Sequence, residues 1–217
     1  MTRYKFTRRT FTAALAGAVP LLAQEVPPAE PFGPSLKFSH KPADAQVQPF
    51  NMPDVHLLPG AFQDAQDADL GYLKRIEPER LLHNFRVNAG LPSSAKPLAG
   101  WEAPDCELRG HFAGHFLSAC ALMYSSTGDQ EIKAKGDALV AELAICQTKL
   151  GGGYLSAFPP EFLERLKVQK KVWAPFYTIH KIMAGMLDMQ QHCGNAQALE
   201  VLKGMAHWAD DWSAALP

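Results

Sequence analysis

Beyond its first two dozen residues this chain has no apolar run near the roughly 20 residues that cross a bilayer, so nothing after the leader reads as membrane-spanning. It also lacks an excess of either charge. Lysine and arginine number 21 against 22 acidic residues, a formal net charge of -1, which removes the electrostatic case for nucleic acid or an anionic membrane surface as a partner. Cysteine is sparse. Cys106, Cys120, Cys146 and Cys193 stand apart, with no C-x-x-C spacing to make a zinc ribbon or a thioredoxin-like motif. Cys120 and Cys146 fall inside apolar helical patterns, where a free thiol behaves as a small hydrophobe, and no structural disulfide is expected. Strand signals are nearly absent after residue 60, and no internal repeat of fixed period supports a solenoid. What remains is an ordinary globular composition, 47% hydrophobic, on a chain long enough for one sizeable core.

The N-terminus is distinct. "TRYKFTRRTFTAALAGAVPLLAQ" joins a basic segment to a short apolar stretch with small residues at its end, the pattern of a secretory signal over residues 1–23. Arg8 and Arg9, followed by Thr10 and Phe11, resemble a twin-arginine export signal, with a Sec signal that carries two arginines as the alternative. The expected location is periplasmic or secreted. From 24 to 60 prolines recur at 27, 28, 31, 34, 42, 49, 53 and 59, too many fixed φ angles for a helix, so this reads as an extended arm.

Residues 61–217 read as helical. Segments are expected at 62–76, at 78 onward to a stop at Gly90, from 108 to "STGD", at 130–150, at 175–191, and from an Asn195 N-cap to 212. "GGGYLSAFPPEF" reads as a long loop; its glycines lack the strand–loop–helix setting and the lysine of a phosphate cradle. The third and fifth helices are apolar nearly all round, whereas the fourth, through Ile132, Leu139, Val140, Leu143 and Cys146, and the sixth, through Leu199, Leu202, Met205 and Ala209, each keep a wet face. Inner helices covered by outer ones give that alternation. The expected fold is all-α, an α/α toroid built from helical hairpins.

"LRGHFAGHFLSACALMY" places His111 and His115 one turn apart on one face of the third helix. Two imidazoles so spaced could share a zinc ion, but the glutamate of H-E-x-x-H is missing and a third ligand would have to come from afar. The third and fifth helices run the same way in this topology, so His111 and His180 fall at one end. The loops there bring Trp101, Glu102, Asp105, Glu107, Tyr154 and Phe158, and the approach to the fifth helix adds Trp173 and Tyr177. Aromatic rings that stack on sugar C–H faces, beside imidazoles and carboxylates that bind hydroxyls, describe a carbohydrate pocket. The same aromatics would equally serve as core.

Four blocks, "DLGYLKRIEPERLLHNFRVNAGL", "GWEAPDCELRGHFAGHFLSACALMYSSTGD", "GGYLSAFPPEFLERL" and "VWAPFYTIHKIMAGMLD", resemble the β-L-arabinofuranosidase-type glycoside hydrolases of family 127 and relatives such as family 146. The resemblance implies an (α/α)6 barrel and retaining hydrolysis of arabinose-containing glycans. It also implies a cysteine thiolate nucleophile held on zinc by a glutamate and further cysteines, with a separate glutamate as acid/base. The histidine of its "YTIHK" block maps onto His180, and the "ELRGHFAGH" block, with Glu107, Arg109, His111 and His115, should border the same pocket.

The chain departs from that pattern at the metal. No cysteine here follows a glutamate at E-x-C spacing, and no Cys-Cys pair occurs. About 190 residues after the leader also accommodate only about half of twelve barrel helices with their loops. The expectation is therefore the N-terminal part of such a barrel, inactive alone. It should contribute His180, His111, His115, Glu107, Tyr154, Trp173 and Tyr177 to a sugar-binding surface, with no catalytic residue and no metal of its own, and zinc belonging to full-length relatives. The competing expectations are a non-catalytic carbohydrate-binding helical domain and a metal-dependent hydrolase that uses His111 and His115.

Overall fold

The structure, a computed structural model, describes residues 47–216; residues 1–23, expected as a leader, and most of 24–60, expected as an extended arm, lie outside them. Two compact units are distinguished, Met1–Asn51 and Met52–Pro217. In the first, the described residues 47–51 are exposed and without regular structure. The second opens with a short 3-10 turn, Met52–Asp54, and then carries helices α1 (Ala61–Arg75), α2 (Pro78–Asn88), α3 (His111–Thr127), α4 (Gln130–Leu150), α5 (Glu161–Lys167), α6 (Pro175–Cys193) and α7 (Ala196–Ala214). Among the described residues there is no strand, and no helix is long and apolar enough to cross a membrane.

Two hairpins share one piece of turn chemistry. α3 ends at Gly128 (φ +72°), and the next residue, Asp129, caps α4 by accepting from the Ile132 amide at 3.0 Å. α6 ends at Gly194 (φ +67°), and Asn195 caps α7 by accepting from the Ala198 amide at 2.8 Å. Glycine supplies the left-handed residue that stops one helix, and an Asx side chain satisfies an orphan donor of the next. The connections are so short that each pair must fold back antiparallel.

α3 and α6 lie side by side and run the same way. Thr178 Oγ1 donates to the Leu108 carbonyl at 2.9 Å. One and a half turns further on, Gly114 sits against the backbone of Lys181 and Ile182, and Gly185 against the Gly114 carbonyl and Leu117. α4 and α7 pack outside this pair and are tied together where Gln147 donates to the Val201 carbonyl and Asn195 to Asp137. The expected stripe on α4 is wholly buried from Ile132 to Cys146. On α7 it is rotated: Ala198, Val201 and Met205 are buried, while Leu199 and Leu202 are only half-buried. Parallel inner helices returned by outer partners are the arrangement of an α/α toroid, and along α3 and α6 one strip stays open, with Leu122 38% and Leu187 39% exposed.

A lysine closes the C-terminus of α1. Lys135 Nζ donates to the carbonyls of Leu73, Lys74 and Ile76 at the helix end, where Leu73 also accepts from the Ile76 amide. Lys135→Met should therefore lower stability by about 2 kcal/mol, the scale of lost hydrogen bonds from a charged donor. Urea denaturation with an unchanged slope reads this directly.

The segment expected as a loop from 151 departs most from its reading. Tyr154, Leu155, Ser156, Ala157 and Phe158 are all buried, and the chain then forms α5. Backbone carbonyls inside a core need donors, and Asn88 supplies Ser156 and Phe158 while Arg109 supplies Ala157. Gly153 permits the entry: at φ +81°, a Cβ there would lie 2.2 Å from the Gly204 carbonyl oxygen.

Candidate functional site

Helix α3 starts without a side-chain cap. Its N-cap is Gly110 at φ +99°, where an added Cβ would lie 2.7 Å from Ala157 Cβ, so no capping side chain fits. The acceptor comes instead from the 3-10 turn Gly100–Glu102, which Asn84 holds by donating to the Glu102 carbonyl at 2.8 Å. Glu102 is buried. Its Oε2 accepts from the Gly110 amide at 2.7 Å and its Oε1 from the Phe112 amide at 2.9 Å, placing a carboxylate where the helix dipole favours negative charge. The same Oε1 lies 2.7 Å from His111 Nδ1.

From His111 a chain of rings runs to the surface. Its centroid lies 6.4 Å from that of Trp101, 5.8 Å from His115 and 5.9 Å from Tyr177. Trp101 meets Trp173 edge to face at 6.2 Å. Tyr177 Oη and His115 Nε2 are 3.1 Å apart, and the Lys181 ammonium lies over the Tyr177 ring at 5.1 Å. His111 is buried, whereas Trp101 is 64%, Trp173 46% and Tyr177 43% exposed. His180, exposed on α6, is near enough for its charge to act on His115. Five of the expected site residues, with Trp101, thus form one patch at the N-terminal ends of α3 and α6.

Burial, and then the positive charge of Lys181, hold the His115 imidazole below the ordinary 6.5. Lys181→Gln is expected to move its titration midpoint upward but not fully back, because desolvation is the larger cause. The sign for stability follows. A folded value below the unfolded one means that the unfolded chain binds more protons, so this contribution is present above about pH 6.5 and is lost as pH falls toward the depressed midpoint. Histidine NMR titration of both proteins measures it.

Two expected contacts stand elsewhere. Glu107 has both oxygens engaged, Oε1 with Arg165 Nη1 at 2.9 Å and Oε2 with the Trp173 amide at 2.8 Å, and the Trp173 amide first, then Arg165, hold it below the usual carboxylate range. It fixes Trp173 rather than facing the patch with a free oxygen. Tyr154 is buried against Trp208 at 4.8 Å and donates to the Phe158 carbonyl, which places it in the core. Phe158 is likewise buried, stacked on Phe162. Arg109 braces the same loop through the Ala157 and Cys106 carbonyls. Glu102, by contrast, was only one of several loop acids in the sequence. The signal that could have singled it out is the missing N-cap in "RGHF", which obliges an acceptor to arrive from another segment.

The family model for the Beta-L-arabinofuranosidase, GH127 catalytic domain matches residues 54–216. The chain belongs to this glycoside hydrolase family. No curated protein matches it. The match spans both hairpins and the whole aromatic–histidine patch.

Family 127 chemistry as expected above calls for a zinc-held thiolate, and the described residues do not fit one. Burial pushes the Cys120 thiol up to about 12 and the Cys146 thiol up to about 11, and raises Cys193 as well, the reverse of what a metal-bound nucleophile needs. All four cysteines are unpaired, and no three His, Cys, Asp or Glu side chains among the described residues come together as a ligand set. The His111 and His115 rings stand at 88°, with Nδ1 of one turned to Glu102 and Nε2 of the other to Tyr177. No chemical step is therefore assigned to zinc within these residues.

Proposed function

We propose that this family 127 chain supplies the sugar-binding wall of an exported enzyme that releases β-L-arabinofuranose from plant glycans. In this reading the retaining step, with its zinc-bound cysteine, uses residues outside these 217, and the chain alone does not turn over substrate. The Arg8-Arg9 leader supports export, to the periplasm or beyond. The observation that carries the proposal is the half-exposed set Trp101, Trp173 and Tyr177 beside His115 and His180. Rings that stay half-exposed in the folded chain offer flat apolar faces to a furanose ring, and the neighbouring imidazoles offer donors and acceptors to its hydroxyls.

Trp101→Ala and Trp173→Ala should each weaken binding of methyl β-L-arabinofuranoside about tenfold, near 1.4 kcal/mol. Stability should change by less than about 0.5 kcal/mol for Trp101, which makes few buried contacts. Calorimetric titration measures the first and thermal unfolding the second. Unchanged affinity in both variants would remove the wall. Hydrolysis of an arabinofuranoside by the chain alone would instead contradict the assignment of the nucleophile to other residues.

A further inference from the structure

His111 Nδ1 faces two oxygens and no donor: Glu102 Oε1 at 2.7 Å and the Leu108 carbonyl at 3.1 Å. An imidazole nitrogen between two acceptors carries the proton, so in the neutral ring Nε2 is left as the lone-pair acceptor. Among the described residues Nε2 has no hydrogen-bond partner, and the ring lies against Trp101, His115 and Tyr177. The Leu108 carbonyl, which also accepts from Thr178 Oγ1 at 2.9 Å, is the longer of the two contacts, and the shorter one, to a carboxylate, is with Glu102.

Glu102 is also the residue type that this position demands. Three donors converge on it: the Gly110 amide, the Phe112 amide and His111 Nδ1–H. A carboxylate is acceptor-only and satisfies all three. A glutamine in the same place must turn its NH2 either toward the Gly110 amide or toward Phe112 and His111. The first choice sets NH2 against one donor, the Gly110 amide, and keeps an oxygen on Phe112 and His111. The second sets it against two donors and is relieved only at the histidine, by moving its proton to Nε2 with the Phe112 amide still opposed, so the first is preferred.

We infer that Glu102 is a positioning residue that locks His111 in the Nδ1–H tautomer and turns Nε2 toward the aromatic wall as a hydrogen-bond acceptor for a sugar hydroxyl. The identity of the ligand rests on the function proposed above; the tautomer does not. Second-sphere carboxylates set imidazole orientation in the same way at other sites, and their loss acts through the ring rather than through direct contact.

The test is long-range 1H–15N NMR of the full chain with labelled histidine, at a pH where His111 is neutral. Wild type should show protonated Nδ1 and pyridine-like Nε2 at His111. Glu102→Ala, which leaves Nδ1 only the longer Leu108 contact, should shift the ring to a mixture with Nε2–H and weaken binding of methyl β-L-arabinofuranoside about fivefold to tenfold, one hydrogen bond's worth, whereas Glu102→Gln, with its oxygen on His111, should keep Nδ1–H. A merely structural Glu102 would leave the tautomer of the folded variant unchanged, and that result overturns the inference, as does Nε2–H in wild type. Should the alanine variant not fold, the wild-type tautomer decides alone. An intact tautomer lock with no shift at His111 on adding the sugar would count against the proposed function and not against the lock.

Discussion

Gly114→Ala is expected to lower the stability of this chain by about 3 kcal/mol or more, a large share of the 5–15 kcal/mol that holds a domain together. An added Cβ would lie 2.1 Å from the Lys181 carbonyl oxygen, 2.2 Å from its carbon and 2.6 Å from the Ile182 nitrogen. All three are backbone atoms of α6, so no side-chain rotation relieves the clash. The helices must separate, and α3–α6 contacts along Leu117, Ile182 and Met186 separate with them. Gly185→Ala acts across the same seam, its Cβ meeting the Gly114 carbonyl oxygen at 2.5 Å. Gly71, on α1, is the control. A Cβ there makes only an ordinary 3.6 Å contact with Arg75, and alanine should stabilise by about 0.5–1 kcal/mol through helix propensity. Urea midpoints for the three variants decide it, and a Gly114→Ala protein as stable as wild type would contradict the parallel packing of α3 on α6.

Glu102→Ala should have the next largest effect, a loss of about 3 kcal/mol. The deletion strands the Gly110 and Phe112 amides and leaves the His111 Nδ1–H only the Leu108 carbonyl at 3.1 Å, at about 1–3 kcal/mol for each donor that water does not reach. It also removes the negative charge at the N-terminus of α3. Thermal unfolding gives the total, and amide exchange locates it: protection should fall first in the opening turn of α3. Equal exchange along the whole of α3 would mean that Glu102 contributes no local cap.

How far the sequence carried these conclusions depended on the range of the interaction. The hairpins were legible because Gly128-Asp129 and Gly194-Asn195 do their work within four residues. The inner and outer roles were legible because burial on most sides leaves little room for charge, and α3 between His111 and Thr127 has none apart from its histidines. The short α5 was missed, since seven residues after a double proline give too little periodicity to register. That Tyr154 and Phe158 would be buried, the core alternative for Tyr154, was not decided by the sequence: glycine-rich flanks mark a loop, but Asn88 and Arg109, far off in sequence, make burial of that loop tolerable. The partners of Glu107 were not legible, because the sequence does not reveal that Arg165 and the Trp173 amide occupy its two oxygens. That His111, His115, Trp173, Tyr177 and His180 would lie together was legible because they sit at the N-terminal ends of two parallel helices, and helix direction follows from hairpin order.

The claim on which the functional reading depends is that sugar meets the wall of Trp101, His115, Trp173, Tyr177 and His180. Chemical-shift mapping of the full chain with methyl β-L-arabinofuranoside tests it most directly. The open groove between α1 and α3, about 380 Å³ and lined by Met52, Tyr72, Leu122 and Met123, is the natural control because it contains no histidine and no tryptophan. Saturable shifts at the indole and imidazole groups of the wall, with the groove silent, are the predicted result; shifts confined to the groove, or none at the wall at saturating sugar, would contradict it.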